Sequence, residues 1–223
     1  MRYSRAVPAV FLDRPNRFIA RVELNGAPET VHVKNTGRLR ELLRPGAEVF
    51  LCPGTGAARK TRYDLIAVRK GDQIVNVDSQ APNAAAAELL RRLFPGWALF
   101  PERVCGDSRF DFCLERGEQK TYVEVKGVTL ERNGTALFPD APTERGVKHL
   151  RGLMAAKAAG HGACALFLLQ MRGCARFSPN EDTDPAFAAA LRQAQDAGVE
   201  ILCYDCDVTP GSMTVRDPVA LAL

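Results

Sequence analysis

The centre of this 223-residue chain contains two alternating stretches, Ser108-Arg-Phe-Asp-Phe-Cys-Leu114 and Thr121-Tyr-Val-Glu-Val-Lys-Gly127. A period of two is typical of β-strands, because successive side chains point to opposite faces of a sheet. The short polar segment Arg116–Gln119 separates the two stretches and predicts a tight connection. We therefore predict an antiparallel hairpin in which the two strands are direct neighbours.

The register of this hairpin determines how its polar residues are interpreted. A loop over Arg116–Gln119 places Asp111 directly opposite Glu124, and Arg109 opposite Lys126. Facing side chains have Cβ atoms about 4.5–5.5 Å apart, so two carboxylates there repel each other unless a cation lies between them. Mg²⁺ is typically bound by one or two carboxylates together with substrate phosphate. The other face of both strands is apolar and carries Phe110, Phe112, Leu114, Val123 and Val125.

This register predicts a divalent-cation site, for Mg²⁺ or Mn²⁺, with Asp111 and Glu124 as its ligands. Lys126 lies two residues after Glu124 on the same face and can contact a phosphate or orient an attacking water. The alternative is an exposed sheet face on which Arg109 and Lys126 neutralise the two carboxylates. The acidic residue on the paired strand favours the cation site. A slip of one residue would move Asp111 to the opposite face and remove it from the pair.

The residues that follow position 80 are predicted to form a mixed α/β (α+β) domain, spanning 81–223. Asn83 is a plausible N-cap for a helix over Ala84–Phe94, which Pro95-Gly96 ends. Helices and strands do not alternate regularly, so the pattern predicts a sandwich instead of a β/α barrel. The other predicted elements are strands Trp97–Cys105, Ser108–Leu114, Thr121–Leu130, Ala163–Gln170 and Val199–Tyr204, a short strand near Met213–Val215, and helices Thr143–Ala159 and Pro185–Ala197.

Residues 1–80 are predicted to form a separate domain that consists almost entirely of β-strands. Asn25-Gly26 is a strong hairpin signal between two of these strands. About five short strands within this length predict a small OB-like barrel, a fold that presents a surface to nucleic acid. The domain boundary is predicted at residues 79–84. The strands are Arg17–Leu24, Glu29–Val33, Ala47–Cys52, Tyr63–Arg69 and Gln73–Val77.

The basic residues are concentrated in the first part of the chain. The whole chain carries a net charge of +4, but residues 1–80 have 14 Lys+Arg and 8 Asp+Glu, a net of +6, and the remainder has a net of −2. A basic surface favours an anionic partner such as nucleic acid. Together with the family resemblance described below, it predicts DNA, bound as duplex with little or no sequence specificity. An equal alternative is a solvated run of charges. The predicted DNA contacts are Arg38, Arg59, Lys60, Arg62, Arg145 and Lys148.

Two short motifs near these residues are candidate anion sites. Asn35–Leu43 predicts a short helix whose N-terminus, with Arg38 and Arg40, binds an anion or simply presents arginines to solvent. Gly54–Thr61 resembles a phosphate-binding loop but has Arg59 where that motif requires glycine, which argues against an NTPase.

Composition excludes several classes of protein. Hydrophobic residues make up 46% and charged residues 25%, which is typical of a globular protein. No stretch is long and apolar enough to span a membrane, and no signal peptide is evident, so we predict a cytoplasmic protein without a membrane partner. Seven cysteines favour reduced thiols. Cys203-x-x-Cys206 lacks a second ligand pair for zinc, so both are predicted to be buried strand residues. His149 taken alone is predicted to be a surface helix residue, although it could face the Glu124 cleft.

Six motifs, in this order, resemble the bacterial and archaeal sugar fermentation stimulation protein family. The resemblance covers nearly the whole chain, and several motifs in order are more specific than any one of them. They are Asn35-Thr-Gly-Arg38, Arg59-Lys-Thr61, Ser108-Arg-Phe-Asp-Phe112, Tyr122-Val-Glu-Val-Lys-Gly-Val-Thr-Leu130, Phe138-Pro-Asp-Ala141 and Thr143-Glu-Arg-Gly-Val-Lys-His-Leu150.

The resemblance implies an N-terminal OB-like domain, a C-terminal domain similar to PD-(D/E)xK nucleases, DNA binding, and a role in regulating sugar metabolism genes. By that similarity Asp111 takes the first acidic position, Glu124 the second and Lys126 the lysine. The sequence departs from the nuclease pattern in having Phe110 where proline is usual, and no convincing helix glutamate. Three functions stay open: a DNA-binding protein with a relict site, an active metal-dependent DNA endonuclease or exonuclease, and an enzyme acting on a phosphorylated sugar.

Overall fold

The first part of the chain is a closed β-barrel. The computed structural model describes residues 1–55 and 59–223. Five strands pair in the cyclic order β1-β2-β3-β5-β4 and back to β1, the ring being closed by the parallel pairing of β3 with β5, and β6 extends β5. The predicted OB-like barrel is therefore confirmed. Its strands are β1 Val7–Asn16, β2 Ile19–Leu24, β3 Ala27–Val33, β4 Glu48–Pro53, β5 Tyr63–Lys70 and β6 Gln73–Asn76.

Strand β1 was missed in the sequence because its pattern is interrupted. It contains Pro8 and Pro15, and its register against β2 shifts on both sides of Asp13. Prolines and bulges both obscure the period of two by which a strand is recognised. The predicted Asn25-Gly26 turn is confirmed, since both residues have positive φ, 54° and 78°, as a type I′ hairpin requires.

The predicted helix over Asn35–Leu43 is wrong. This segment forms bends and turns, and Leu39 has a φ of 49°, which a right-handed helix does not allow. Arg14 binds the carbonyls of Asn35, Gly37 and Arg38, so these groups do not accept helical hydrogen bonds. The leucines of the segment are buried in the barrel core. Arg38 therefore does not lie at a helix N-terminus.

The second part of the chain is a three-layer α/β structure. Its main sheet has the order β15-β14-β12-β9-β8-β7, and a smaller sheet has the order β10-β11-β13-β16. Helix α1 packs on one face of the main sheet, and α2 and α3 pack on the other. The elements are α1 Ala81–Leu93, β7 Ala98–Cys105, β8 Ser108–Arg116, β9 Gln119–Val128, β10 Leu130–Arg132, β11 Thr135–Phe138, α2 Glu144–Ala158, β12 Gly162–Leu169, β13 Arg176–Pro179, α3 Pro185–Asp196, β14 Glu200–Thr209, β15 Ser212–Pro218 and β16 Ala220–Leu221.

The predicted α/β class is confirmed, but α1 begins earlier than predicted. Gln80 occupies the N-cap position and Pro82 lies in the first turn, where its missing N–H costs nothing. Asn83 is therefore inside the helix and is not its cap. The four strands of the smaller sheet escaped prediction because each has four residues or fewer. The division into domains 1–80 and 81–223 stays a prediction.

The barrel and the α/β part are joined through Gln170. This side chain is buried, and its amide nitrogen donates to Asn76 O, Asn76 Oδ1 and Asp78 O at 3.1, 2.9 and 3.1 Å. Gly127 allows the close approach, since a Cβ there would lie 2.6 Å from Pro82 Cγ and would also overlap Gln170.

No described helix is long and apolar enough to cross a membrane.

Candidate functional site

The central hairpin has the register predicted from the sequence. Phe112 pairs with Val123, and Arg116 pairs with Gln119. The turn is shorter than predicted, with only Gly117 and Glu118 between the strands, but from Phe112 to Arg116 the predicted residues face each other. The predicted direct pairing of Asp111 with Glu124 does not form, because the ladder ends at Phe112 and Val123. Because the predicted loop was symmetric about the same centre, tightening it does not shift the register.

Strand β8 leaves β9 at Asp111. Backbone pairing ends at Phe112 and Val123, and beyond it the Asp111 carboxylate accepts a hydrogen bond from Val125 N at 2.8 Å. The side chain thus occupies the position that a strand carbonyl would otherwise take. The two strands separate at this point, and the gap between them opens the site.

The separation overturns two predictions about neighbouring residues. Phe110 does not share a face with Phe112, because it packs against Tyr122, ring centroids 5.6 Å apart, on the side of α2. Arg109 does not face Lys126; it pairs with Val104 of β7, and its guanidinium lies 3.9 Å from Glu102. Strict alternation fails because β8 is no longer bound to β9 at these positions.

Asp111 is held by two hydrogen bonds. Its Oδ1 accepts from Asn83 Nδ2 of α1 at 2.8 Å, and its Oδ2 accepts from Val125 N. Burial and the negative charge of Glu124 raise the pKa of Asp111, and the two hydrogen bonds oppose this only in part. The sequence did not suggest this role for Asn83.

Glu124 is buried beneath α2, with 4% of its surface exposed. Its Oε1 accepts from Lys126 Nζ at 2.6 Å and contacts His149 Nδ1, whereas its Oε2 is buried without a partner. Burial alone would raise the pKa of Glu124, but the contacts with His149 and Lys126 outweigh it and lower the pKa. The alternative of an exposed sheet face is therefore wrong.

His149 is a site residue that the sequence analysis undervalued. It lies on the buried face of α2, and its ring contacts Glu124 and lies 3.4 Å from Lys126 Nζ. The prediction of a surface residue was wrong, although the suggestion that it could face the cleft holds. The signal was available: Gly146, His149, Leu150 and Leu153 have the spacing of one helix face.

The two basic residues predicted on this helix lie in different places. Arg145 Nε is 3.4 Å from His149 Nε2, so Arg145 reaches the edge of the site. Lys148 lies on the exposed side of α2, beside Val147 and Arg151 in a separate surface groove. The structure thus brings Asp111, Glu124 and Lys126 together, places Arg145 against His149 at the edge of the site, and leaves Lys148 apart.

The donor set fits a hard divalent cation. Glu124 Oε2 is a buried acceptor without a partner, and the pKa of Asp111 is raised in part by the nearby negative charge. Within residues 1–55 and 59–223, no three His, Cys, Asp or Glu side chains form a closed metal site. Two carboxylates are enough for Mg²⁺, which keeps several waters and binds phosphate oxygens.

The predicted DNA-contacting residues of the barrel differ in whether their side chains are exposed or already paired with a carboxylate. Arg59 binds buried Asp64, which Lys34 and His32 also contact, at 3.0 and 3.1 Å. Lys60 and Arg62 are exposed, with Arg62 3.7 Å from Glu29. Arg38 is exposed in the loop that follows β3, and its backbone N–H donates to Asp140 Oδ2 at 3.2 Å. Residues 56–58 of the Gly54–Thr61 motif lie outside the described part.

Cys203 and Cys206 lie within the hydrophobic core of the α/β part. Both thiols are free and buried on β14, as predicted. Burial raises the pKa of both, that of Cys206 to about 12. A thiolate is the form that binds metal and reacts, so these cysteines act as core residues.

The fold and the site together define a class: an OB barrel joined to an α/β domain with an aspartate on one strand and a Glu-x-Lys motif on the next. The profile described as "SfsA N-terminal OB domain" matches residues 12–77, and that described as "Sugar fermentation stimulation protein RE domain" matches residues 80–212. The chain belongs to the sugar fermentation stimulation protein family.

Relatives match over the full length. The "Sugar fermentation stimulation protein homolog" of Desulfitobacterium hafniense (strain Y51) is 52% identical, covering 100% of this chain and 99% of the relative. That of Clostridium novyi (strain NT) is 46% identical, covering 100% of both. The solved structure of "Pyrococcus Furiosus SfsA in complex with Ca2+" has a TM-score of 0.89 and 29% identity, covering 100% of this chain and 98% of that one.

Proposed function

We propose that this protein binds DNA and holds a divalent cation, Mg²⁺ or Mn²⁺, at Asp111 and Glu124. The observation that carries the proposal is the buried Glu124 oxygen without a partner, next to the strand separation that exposes Asp111. The net charge of +6 on residues 1–80 supports an anionic polymer as the partner. The family name and the sequence resemblance make regulation of sugar metabolism genes the proposed cellular role.

A relative supports the cation site. The Pyrococcus furiosus protein is described in complex with Ca²⁺, and its fold superimposes on this chain with a TM-score of 0.89. Ca²⁺ and Mg²⁺ both take hard oxygen ligands, although Mg²⁺ demands a smaller octahedral shell. A carboxylate pair in the same fold is therefore a reasonable place for a divalent cation in this chain.

The residues around the carboxylates have separable roles in this proposal. Asn83 and Val125 N orient Asp111, while His149 and Lys126 keep Glu124 ionised. Lys126 then places a positive charge where phosphate oxygens would lie. A bound cation would supply the polarisation of a phosphodiester and the activation of water.

Phosphodiester cleavage is the second candidate function. It is favoured by the position of Lys126, whose ammonium lies 2.6 Å from Glu124 Oε1. The Lys126 side chain lies in the same gap and is only 15% exposed. A site used only to recognise DNA would not need a lysine in hydrogen-bond contact with its carboxylate. The site would then be a phosphodiesterase centre of the PD-(D/E)xK type.

The test is incubation of the pure full-length protein with several DNA substrates, with and without Mg²⁺ or Mn²⁺. Affinity for a long duplex that falls steeply with salt supports DNA binding, and its absence would contradict that function and favour an enzyme acting on a small phosphorylated sugar. Cleavage that requires the cation and is lost in Lys126→Met establishes the second function. Binding without cleavage on every substrate leaves recognition as the function.

A further inference from the structure

A cavity of about 310 Å³ lies between the barrel and the α/β part of the protein. One side is the loop Asn35–Gly37 of the barrel, and the other is the segment Phe138–Thr143 that follows β11. Gly127 and Pro82 also line it, and these residues directly follow Lys126 and precede Asn83 in the chain. The cavity therefore adjoins the gap that holds Asp111 and Glu124.

The lining combines apolar side chains, such as Leu137 and Phe138, with polar groups, and its described residues carry no cationic side chain. Among the described residues, it includes the hydroxyls of Thr36, Ser79 and Thr129, the amide oxygen of Gln170 and the carboxylate of Asp140, and neither lysine nor arginine. Such a lining attracts neutral groups that form hydrogen bonds and does not attract a phosphate. The phosphate-binding charge lies outside it, on Lys126. The volume is at the lower end of the range for small-ligand pockets and is far too small for a duplex.

The loop that forms this cavity is held by a half-buried guanidinium. Arg14 donates to the carbonyls of Asn35, Gly37 and Arg38, and also to Arg17 O at the tip of the β1–β2 hairpin. The hairpin tip and the cavity loop are thus one hydrogen-bonded unit. Four carbonyls hold Arg14, so its role is to position this unit.

An exposed aromatic residue lies on the same unit. Phe18 is 45% exposed, and the Arg17 guanidinium lies 4.9 Å from the centroid of its ring. Phe18 O accepts from Val33 N at 2.7 Å, two residues before Asn35. Exposed aromatic rings beside arginines stack the bases of single-stranded nucleic acid.

We propose that the cavity receives one unpaired nucleoside of a DNA strand, whose phosphate lies at Lys126 beside the carboxylates, with Phe18 stacking a neighbouring base. This inference rests on the proposed function and narrows it: the group that enters the cavity comes from a strand end or an unpaired nucleotide. The base and the deoxyribose provide the neutral donors and acceptors that the lining requires, and the adjoining Lys126 takes the charge.

The test compares the affinity of the full-length protein for a blunt duplex and for the same duplex with a three-nucleotide overhang, by fluorescence anisotropy with Ca²⁺ present. We expect the overhang to bind about tenfold more tightly, since one or two net hydrogen bonds and a stacked base account for that ratio. Thr36→Trp fills the cavity from an exposed position, and Phe18→Ala removes the platform, so each should reduce the preference while keeping the affinity for the blunt duplex. Thr214→Trp, at an exposed position on β15 outside the cavity, is the matched control and should change neither affinity.

The outcomes separate the two proposals. Equal affinities for the blunt and overhanging duplexes, or a preference that survives Thr36→Trp, would overturn the cavity assignment and leave DNA binding intact. If the unmodified full-length protein bound neither duplex, the proposed function itself would be overturned. A second measurement, saturation-transfer NMR with free deoxynucleosides and with a free hexose, addresses the cavity directly. Binding of the hexose without the nucleoside would contradict the assignment even if DNA binds.

Discussion

Asp111 and Glu124 occupy one site, but their pKa values move in opposite directions. Burial and the charge of Glu124 raise the pKa of Asp111, whereas His149 and Lys126 lower that of Glu124 despite its burial. In the absence of a cation, the ionised form of Asp111 therefore destabilises the folded state, whereas the ionised form of Glu124 does not. This difference makes Asp111 the more informative residue to change.

We predict that Asp111→Asn abolishes cation binding and makes the cation-free protein more stable at neutral pH. The substitution removes the costly charge, and both hydrogen bonds survive if the new amide accepts from Val125 N and donates to a reoriented Asn83. Calorimetric titration with Mg²⁺ and with Mn²⁺, together with urea denaturation, tests both parts. Titrations that do not differ between variant and wild type would rule out the cation site and cleavage with it.

The same substitution predicts a dependence on pH. A carboxylate with a raised pKa in the folded state destabilises that state above its folded pKa, and the effect disappears as pH falls through the folded pKa toward the unfolded value of about 3.9. The stability advantage of Asp111→Asn over the cation-free wild type should therefore shrink as the pH is lowered from 7. Urea denaturation of both proteins along a pH series measures it. A constant or growing difference would show that Asp111 is not strained by its charge.

Among the elements of the fold, the loop between β4 and β5 is where the structure most changes the interpretation of the basic residues. Arg59 was predicted to contact DNA together with Lys60, but it binds buried Asp64. Its charge serves the barrel first, whereas Lys60 and Arg62 are exposed. Substitution of Arg59 should therefore have a different effect from substitution of Lys60 and Arg62.

We predict that Lys60→Ala combined with Arg62→Ala weakens DNA binding and reduces the log–log salt slope by up to about 1.8, because each lost phosphate contact removes about 0.9. Arg59→Ala should instead lower the free energy of unfolding by about 1–3 kcal/mol, because it removes one of the partners of a buried carboxylate. Salt titrations of DNA binding and urea denaturation distinguish these effects. An unchanged slope in the folded double variant would identify the basic run as merely solvated.

In the molecule as a whole, the barrel and the α/β part both line the cavity that lies between them. Gln170 holds this arrangement, since its amide binds Asn76 and Asp78 from the end of the barrel. Lys70 of β5 adds an ion pair with Glu131 of β10, 2.5 Å between Nζ and Oε2. These contacts predict that the two parts unfold together.

We predict that Gln170→Leu lowers the free energy of unfolding by about 2–4 kcal/mol and separates the unfolding of the two parts. The substitution removes the Gln170 donor from the buried carbonyls of Asn76 and Asp78. Asn76 Oδ1 also loses this donor but keeps the hydrogen bond from Asp78 N at 3.0 Å. Gln195→Leu, on the exposed side of α3, is the control and should change stability by less than about 0.5 kcal/mol. Denaturation followed by circular dichroism and by Trp97 fluorescence measures it. A single transition with unchanged midpoint would contradict the role assigned to Gln170.

Local patterns were enough to predict much of this protein. The period of two and the short polar turn predicted the β8–β9 register and the neighbouring positions of Asp111 and Glu124, and Asn25-Gly26 predicted its hairpin. Caps and apolar spacing predicted α2 and α3 within a residue or two. These features depend on residues close together in the chain, where backbone geometry and turn chemistry leave few alternatives.

Other features depend on contacts between distant parts of the chain. Asn83 meets Asp111 28 positions away, His149 meets Glu124 25 positions away, and Gln170 meets Asn76 94 positions away. The face of Phe110, the irregular loop that Arg14 holds and the cavity beside Lys126 arise because packing and hydrogen bonding between separate elements override the local period. No local pattern encodes such contacts, because their free energy is gained only when the elements have come together.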